Sequence, residues 1–405
     1  MTGVRVLEVA QFTFVPAAGA VLADWGADVI KVEHAETGDA QRGLVQVLGL
    51  DVSGGSSSFY PIMEGPNRGK RSMGLALDKP EGRELLLELA RQSDVFLTNF
   101  LPAAREKLGI EVEDIRAVNP DIIYVRGSGF GNRGEERTKG GYDSTAFWAR
   151  AGSAAGVTPP ESEQLLGMPA GAYGDSLGGM TIAGGISAAL YARQVTGESS
   201  VIDVSLLSVG AWATQFSANL ALMNGGPLPA VETPKHGAPS NPLIGPYRTS
   251  DDRWLWLAML QPGRYWPEFC RVAERPELID DERFDSAEKL MQNAGEAAAL
   301  VAEIFATKDF DTWVKLLDGV GQWAAVQNAW EVGNDPGLRT NGYVATVKDA
   351  EGVDRELILN PVQFDETPPE ITRAPQFAEH TDEVVLGLGK TEDELIGLKI
   401  AGAIT

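Results

Sequence analysis

The chain is poor in the residues that build disulfides and metal sites. Cys270 is the only cysteine among 405 residues, so no disulfide can form within the chain. The three histidines, His34, His236 and His380, lie far apart and join no cluster with metal-ligand spacing. The sequence therefore predicts neither a disulfide framework nor a metal site. A lone cysteine also favours a reducing compartment, and we expect a cytoplasmic protein.

Long apolar runs and excess positive charge are missing as well. The sequence has no run of about 18 apolar residues, and its first residues enter a strand-like pattern rather than a signal peptide. The formal net charge is −23, from 34 basic and 57 acidic side chains. This balance argues against both a membrane span and a nucleic-acid partner, which would require a basic surface. An anionic ligand would need a local basic pocket.

An alternation of strand and helix patterns fills the first third of the chain. Helical periodicity occupies residues 16–25 and a segment that begins near Pro80, with Asp78 as its possible cap. Five segments have the composition of strands: 4–9, 28–33, 72–77, 94–98 and 121–126. Strands alternating with helices predict an α/β fold with an open parallel sheet covered on both faces.

The first loop of this pattern argues against nicotinamide binding. Glu33, at the end of the second strand, resembles the acid that binds ribose in dinucleotide sites. However, residues 10–15 contain no glycine where pyrophosphate would touch the backbone. We therefore predict a Rossmann-like sheet without a nicotinamide site.

The rest of the chain predicts a smaller domain inserted into the larger one. A strand at 200–206 and a helical segment at 207–222 precede a linker rich in Pro and Gly at 225–246. Further strands are predicted at 253–259, 343–347 and 357–359, with helices to about residue 317. The expected division is residues 1–224 and 331–405 for the large domain and 225–330 for the small α/β domain.

One run of small residues, 167–179, carries a single carboxylate, Asp175. A helical segment follows and ends near Gly197, with Arg193 in its last turn. We expect a tight loop that delivers Asp175 to the first turn of a buried helix, where the dipole keeps it ionised. Asp175 is then either a helix N-cap, because Asp is a preferred cap residue, or a nucleophile.

Ten segments appear in an order that, taken together, resembles one family. They are residues 5–9, 26–33, 38–39, 42–43, 67–72, 80–82, 94–100, 174–178, 369–375 and 379–383. The set resembles the class III CoA transferases of the CaiB/BaiF type, which include formyl-CoA transferase. The resemblance implies a Rossmann-like large domain built from both chain ends, an inserted small domain and an interlocked homodimer. The partners it implies are acyl-CoA, a carboxylic acid and a second copy of the chain, with no tightly bound cofactor.

In that family a carboxylate transfers CoA from an acyl-CoA to a free carboxylic acid, and Asp175 occupies its position. The resemblance implies an anhydride and then a thioester on Asp175, with N–H groups of residues 174–179 stabilising the oxyanion. Side chains matching family positions around CoA are Phe12, Thr13, His34, Leu75, Asn99, Phe100, Lys107 and Tyr142.

Three departures from the family pattern bear on the substrate. His34 stands where relatives often have Arg, and Thr13 stands where Gln is frequent. Residues 236–243 replace the glycine-rich loop of formyl-CoA transferase. These departures argue against formyl and oxalyl groups and fit a larger or less polar acyl group.

Alternative activities remain open at this point. The related α-methylacyl-CoA racemase removes a proton with a His and Asp pair, whereas the matching segment here has Tyr142 before Asp143. Tyrosine, with a pKa of about 10, is a poor base at neutral pH. An intramolecular CoA transferase, in effect an isomerase, fits the same residues. A non-enzymatic acyl-CoA-binding protein is disfavoured by the retained Gly-Asp loop.

Overall fold

The computed structural model describes residues 1–47, 49–51, 58–229, 236–238 and 240–405. The chain divides into two compact units. The larger unit comprises residues 1–158, 162–229 and 336–405, and the smaller one comprises 159–161 and 230–335. Across the described ranges, no helix combines the length and apolar character needed to cross a membrane.

A six-stranded parallel sheet forms the centre of the larger unit. Its strands are β1 (Arg5–Val9), β2 (Asp28–His34), β3 (Arg71–Leu75), β4 (Val95–Thr98), β5 (Ile123–Ser128) and β6 (Val201–Ser205). The spatial order is β3-β2-β1-β4-β5-β6, the order of a doubly wound dinucleotide-binding sheet. The direction of winding reverses between β1 and β4, so the crevice beyond their carboxyl ends is the expected ligand site.

Helices of the larger unit cover both faces of this sheet. Alternate residues of β1 point to opposite sides, so Val6 and Leu7 belong to two different apolar clusters. The first nine helices are α1 (Phe14–Asp24), α2 (Pro61–Asn67), α3 (Pro80–Arg91), α4 (Pro102–Leu108), α5 (Val112–Arg116), α6 (Ser153–Val157), α7 (Tyr173–Thr196), α8 (Leu206–Ala213) and α9 (Gln215–Asn224). A π-helical turn spans Ser144–Arg150. Helices α1 and α7 pack on one face and α3 and α5 on the other, which confirms the predicted α/β class.

The smaller unit has its own apolar core under an antiparallel sheet. Its strands are β7 (Ile244–Arg248), β8 (Trp254–Ala258) and β9 (Trp323–Ala325), in the order β9-β8-β7. Its helices are α10 (Pro262–Val272), α11 (Ala287–Gln292), α12 (Ala294–Phe305), α13 (Phe310–Leu316) and α14 (Ala329–Gly333). Trp266, Phe305 and Trp313 are fully buried in this core. The buried Cys270 lies there too, and burial raises the pKa of its thiol to about 12, so it is unreactive.

The end of the chain returns to the larger unit. It contains α15 (Pro336–Thr340), the hairpin of β10 (Val344–Lys348) and β11 (Asp354–Ile358), and helices α16 (Thr381–Gly387) and α17 (Glu392–Ile400). The last two helices join the cluster of α3 and α5 through Val385 and Leu395. The larger unit is thus built from both ends of the chain.

Two local predictions were wrong, and a third was confirmed with a break in the helix. Lys79, not Asp78, precedes α3, and its side chain makes no cap bond to that helix. The segment predicted as helical at 207–222 forms two helices that meet at Thr214. The predicted linker 225–246 contains the start of β7, because the Gly245-Pro246 pair lies within a strand. Residues 230–235 and 239 of that segment lie outside the described residues.

Candidate active site at the carboxyl edge of the sheet

Asp175 lies in the first turn of α7, as expected, but it does not cap that helix. The helix begins at Tyr173, and the preceding Ala172 has a left-handed backbone with φ +59°. No side chain of the N-cap residue bonds the first turn. Asp175 is the third helical residue, so the N-cap interpretation of this carboxylate was wrong.

Three glycines of α7 allow this helix to pack closely against α1 and against Phe147. A Cβ at Gly178 would come within 2.3 Å of the Phe14 ring on α1, and one at Gly179 within 2.5 Å of Ala17. A Cβ at Gly174 would come within 2.6 Å of Phe147. Any side chain here would push α7 away from α1, so the glycine spacing fixes where Asp175 stands.

The surroundings of Asp175 disfavour its charge. Burial, and secondly the nearby carboxylate of Asp143, raise its pKa to about 7. We expected the helix dipole to keep this acid ionised, and the rise in its pKa is in the opposite direction. Burial removes the solvent that stabilises the carboxylate, and Asp143 adds a second negative charge beside it.

Asp143 is itself buried, next to the first turn of α7. Its Oδ1 accepts a hydrogen bond of 2.7 Å from the Ser144 N–H. Its Oδ2 is buried without a partner of ordinary hydrogen-bond geometry. Burial raises the pKa of Asp143, although the backbone N–H groups of Ser144, Gly174 and Asp175 act in the opposite direction. Two carboxylates therefore share this site.

The N–H groups of residues 174–179 differ in their partners. Those of Gly174 and Asp175 lower the pKa of Asp143, and that of Ser176 donates to the Ala172 carbonyl. The following N–H groups belong to the hydrogen-bond ladder of α7. Stabilisation of an oxyanion by N–H groups of this run stays a prediction.

The loop after β1 lies beyond the crevice between β1 and β4. Asn99, which follows β4, holds Gln11 by two hydrogen bonds: its Oδ1 accepts from the Gln11 N–H at 3.1 Å, and its Nδ2 donates to the Gln11 carbonyl at 2.6 Å. The Thr13 hydroxyl donates to Oε1 of Gln41 at 3.1 Å. Loops from neighbouring strands are thereby fixed to each other at the sheet edge.

Phe12 has a strained backbone within this loop. Its φ is +63°, a left-handed value that is unfavourable for a residue with a side chain. Its N–H donates to Oδ1 of Asp39 at 3.1 Å. Its ring meets Tyr142 edge-to-face, with 5.8 Å between the ring centroids. The structure thus brings together Phe12 and Tyr142, two of the predicted site residues.

A buried ionic network supports Asp39 from below. Lys31 is fully buried, and its ammonium group lies 2.8 Å from Asp39 Oδ2 and 3.2 Å from Glu8 Oε1, and it donates to the Ala10 carbonyl at 3.0 Å. Lys70, equally buried, reaches Glu8 at 2.7 Å. Every charge in this network has a partner of opposite sign, which offsets the cost of burial.

Glu33 belongs to the same interior and cannot serve a ribose. Arg42 binds both of its oxygens at 2.7 Å, and the Ser72 hydroxyl and Asp39 N–H also donate to it. Burial opposes ionisation, but Arg42 and Lys31 outweigh it and lower the pKa of Glu33 to about 2. Its role is to hold Arg42 and the turn at Asp39.

The remaining predicted residues follow strand ends or lie on α4. His34 ends β2 opposite Leu75 of β3, and its Nδ1 accepts from the N–H groups of Glu36 and Thr37. Leu75 is buried, so only its backbone could meet a ligand. Phe100 follows β4, and its N–H donates to Thr98.

Lys107, on α4, lines a pocket of about 430 Å³ together with side chains of α3. Three further cations, Lys79, Arg83 and Arg91, line the same pocket, against two acids, Asp78 and Glu84. Leu77, Pro80, Leu87 and Leu108 complete the lining. A basic pocket with apolar walls in a chain of net charge −23 is where an anionic ligand can bind.

Several residues of this region were missed from the sequence. Asp143 was noted only as the neighbour of Tyr142, and Asp39 only as part of a motif. The cations Arg83 and Arg91 were not singled out at all. A signal existed for them, because both stand on one side of α3 and Lys107 was already selected. Nothing in the sequence alone indicates that Asp143 faces Asp175.

Comparison with known proteins places the chain among CoA-transferases. The model of CoA-transferase family III matches residues 1–381. The (R)-2-hydroxy-4-methylpentanoate CoA-transferase of Clostridioides difficile is 29% identical over 401 residues, covering 98% of each chain. The cinnamoyl-CoA:phenyllactate CoA-transferase of Clostridium sporogenes is 30% identical over 406 residues, covering 97% of this chain and 94% of that protein. A crystal structure of a CAIB/BAIF family protein from Brucella suis has a TM-score of 0.81 at 26% identity, covering 96% and 98%.

Proposed function

Because the chain belongs to CoA-transferase family III, we propose that it moves CoA from an acyl-CoA to a free carboxylic acid, with Asp175 as the covalent nucleophile. The placement of Asp175 carries this proposal. Glycines allow α7 to pack closely against α1, and Asp175 lies half-buried in the first turn of α7. The groups that shift its pKa include no cation that would neutralise its charge. A structural carboxylate would normally be paired, as Glu33 is.

The proposed reaction proceeds through two covalent intermediates on the same carboxyl group. The Asp175 carboxylate attacks the thioester carbonyl, the C–S bond breaks, and an aspartyl anhydride and CoA thiolate result. The thiolate then attacks the aspartyl carbonyl, which releases the first acid and leaves an aspartyl-CoA thioester. The second acid repeats these steps in reverse. Each intermediate remains activated, so the energy of the thioester is conserved.

The raised pKa of Asp175 suits this chemistry. Only the ionised carboxylate attacks, and a carboxylate with a pKa of about 7 is more nucleophilic than one with an ordinary value. A neutral thioester entering the site meets an anion that solvent stabilises poorly. The same burial protects the anhydride from water.

We also propose that the pocket of Lys107, Lys79, Arg83 and Arg91 binds phosphate groups of CoA. CoA carries several negative charges, and the rest of the chain repels them. Thr13, His34, Leu75, Asn99 and Phe100 would contact the remainder of the CoA molecule, and Phe12 and Tyr142 would lie at its thioester end. Arg83→Ala should raise the KM for acyl-CoA without lowering kcat, and Arg264→Ala, in the smaller unit, should change neither. An unchanged KM in Arg83→Ala would remove this pocket from the proposal.

Trapping with hydroxylamine tests the nucleophile. The protein is incubated with an acyl-CoA and hydroxylamine, digested and analysed by mass spectrometry. We expect a hydroxamate on the peptide that contains Asp175, together with release of CoA. The Asp203→Asn variant is a suitable control, because Asp203 pairs with Arg126 on the surface and should not affect labelling. No adduct at Asp175 with any of a broad series of acyl-CoA donors would rule out the covalent mechanism.

We further propose that a second copy of the chain covers α7, α8 and α9, in the interlocked dimer that the family resemblance implies. Helix α9 buries none of its residues within the chain. Phe216, Leu222 and Met223 are 82, 79 and 75% exposed, and Trp212 and Tyr191 are similarly exposed. An apolar surface of this extent on a soluble chain normally marks an interface.

Light scattering after size exclusion tests the dimer. We expect about twice the chain mass of 43.3 kDa. Phe216→Glu should lower that mass towards the monomer, whereas Phe364→Glu, at an exposed ring elsewhere, should not. A wild-type protein that elutes with the mass of one chain would contradict the dimer.

A further inference from the structure

We propose that Phe12 and Tyr142 form the surface that binds the acyl side chain, and that the acids transferred are monocarboxylates with an apolar side chain. The proposal rests on the transfer function at Asp175 and names its substrate class. Aromatic, aryl-alkyl and branched aliphatic acids fit this description, and dicarboxylates such as succinate do not.

The two rings contact each other next to Asp143. Tyr142 immediately precedes Asp143, and Asp143 acts on the first-turn N–H groups of Gly174 and Asp175. The Tyr142 side chain is 62% exposed, and Phe12 supports it edge-to-face from the loop after β1. A large exposed ring one residue from the acid that raises the pKa of Asp175 offers apolar contact area to a substrate group.

The backbone of Phe12 is strained. A phenylalanine with φ +63° is held against its own preference, and a glycine at this position would be relaxed. Asp39 accepts the Phe12 N–H, and the buried Lys31 holds Asp39 in turn. Strain that the surrounding structure maintains at the edge of a site is typical of a positioned functional group. The position of this ring is therefore specified by the fold.

The charges around Asp175 disfavour a second carboxylate on the substrate. The groups that shift the pKa of Asp175 are its burial and the Asp143 carboxylate, with no cation among them. Lys139 and Arg150, which flank the Tyr142–Asp143 segment, are both bound by Glu136 and both lie over the Phe130 ring. A second carboxylate on the substrate would enter a site that already holds two acids, and those acids would repel it.

A half-reaction assay tests this assignment independently of the acceptor acid. The purified full-length protein is mixed with 3-phenylpropionyl-CoA, propionyl-CoA or succinyl-CoA in the presence of hydroxylamine, and CoA release is followed with a thiol reagent. We expect release from 3-phenylpropionyl-CoA to exceed that from succinyl-CoA, as kcat/KM, by roughly tenfold to a hundredfold, the effect of burying one apolar side chain.

Two variants locate the preference. Phe12→Ala keeps the strained backbone but removes the ring, and should lower kcat/KM for 3-phenylpropionyl-CoA about tenfold while changing propionyl-CoA by less than about threefold. Phe364→Ala is the matched control, since Phe364 is an exposed ring that meets Trp25 edge-to-face at 5.9 Å. It should leave all three rates unchanged.

The outcomes separate this inference from the proposed function. Equal or faster release from succinyl-CoA would overturn the substrate class while leaving transfer at Asp175 intact. An equal loss for all donors in Phe12→Ala would overturn the role of Phe12 in binding the acyl side chain. The absence of both CoA release and an Asp175 adduct with every donor would overturn the transfer function and, with it, this proposal.

Discussion

Two groups of buried carboxylates lie at the same edge of the sheet, and they differ in whether cations pair with them. In the interior beneath the first loop, Glu8 binds Lys31 and Lys70, and Glu33 binds Arg42 through both oxygens. At the start of α7, Asp175 and Asp143 lie near each other without a cation among the groups that shift their pKa values. The pKa of Glu33 falls to about 2, whereas that of Asp175 rises to about 7.

The difference separates structural from reactive acids. A buried carboxylate that is fully paired is stable as an anion and has little tendency to attack an electrophile. A buried carboxylate that faces another acid is less stable as an anion, because neither solvent nor a cation stabilises its charge. It is therefore the more nucleophilic of the two. The fold supplies the first kind where loops must be held and the second kind where chemistry is proposed.

The largest expected effect is the loss of the reactive acid. Asp175→Asn keeps the size of the side chain but removes the nucleophile, so CoA transfer should fall by about a thousandfold or more. Asp175→Ala should do the same. Steady-state assays measure this loss, and calorimetric titration with CoA should show that binding persists. A variant that retains a tenth of the activity would show that Asp175 is not the nucleophile.

Loss of a structural acid should instead affect stability. Glu8→Gln leaves the buried Lys70 without a carboxylate and Lys31 with Asp39 alone, and should lower the free energy of unfolding by about 3–5 kcal/mol. Urea denaturation followed by tryptophan fluorescence measures the change. Glu136→Gln is the matched control, since Glu136 also binds two cations, Lys139 and Arg150, but on the surface. It should change stability little, and equal losses in both variants would contradict the comparison.

Neutralising the reactive acid should stabilise the protein at alkaline pH. The folded-state pKa of Asp175 is raised, so its ionisation costs stability as the pH rises from the ordinary value towards about 7. Asp175→Asn avoids that cost. We expect a gain on the order of 1–2 kcal/mol at pH 8 and none near pH 3, measured by thermal unfolding across pH. Asp121→Asn, at an exposed position, is the control, and a loss at pH 8 in Asp175→Asn would contradict this account.

The smallest expected effect separates the two causes of the raised pKa. Asp143→Asn removes the nearby negative charge but leaves Asp175 buried, so the pKa of Asp175 should fall only part of the way towards its ordinary value. The acid limb of the kcat/KM profile, which requires ionised Asp175, should therefore move to lower pH. An unchanged limb together with lower activity at every pH would mean that Asp143 acts only on the structure of the turn.

Local sequence patterns predicted much of the fold. The strands and the first-turn position of Asp175 follow from apolar runs and from Gly and Pro positions, because these depend on neighbours in sequence. The end of α7 at Gly197, with φ +75°, is of the same kind. These patterns did not predict the order of the strands. The rules for connections between parallel strands nevertheless allow only a few strand orders.

The electrostatics of the site could not be predicted in the same way. The pKa of Asp175 depends on Asp143, which is 32 residues earlier in the sequence and is brought to α7 by long-range packing such as that of Phe147 against Gly174. The helix dipole is a local property and pointed in the wrong direction. The role of Asp39 likewise depends on Lys31 within β2 and on Phe12 in the loop after β1. Long-range contacts decide these cases.

The amide of Asn99 has a consequence for how fast a ligand could enter. Its two hydrogen bonds to Gln11 use one N–H and one lone pair, and a second N–H and a second lone pair remain on the same amide. An incoming ligand can therefore be bound at Asn99 while the two loops stay joined. Binding at Asn99 would not require the two hydrogen bonds between the loops to break first, so their rupture would add no delay to the entry of a ligand.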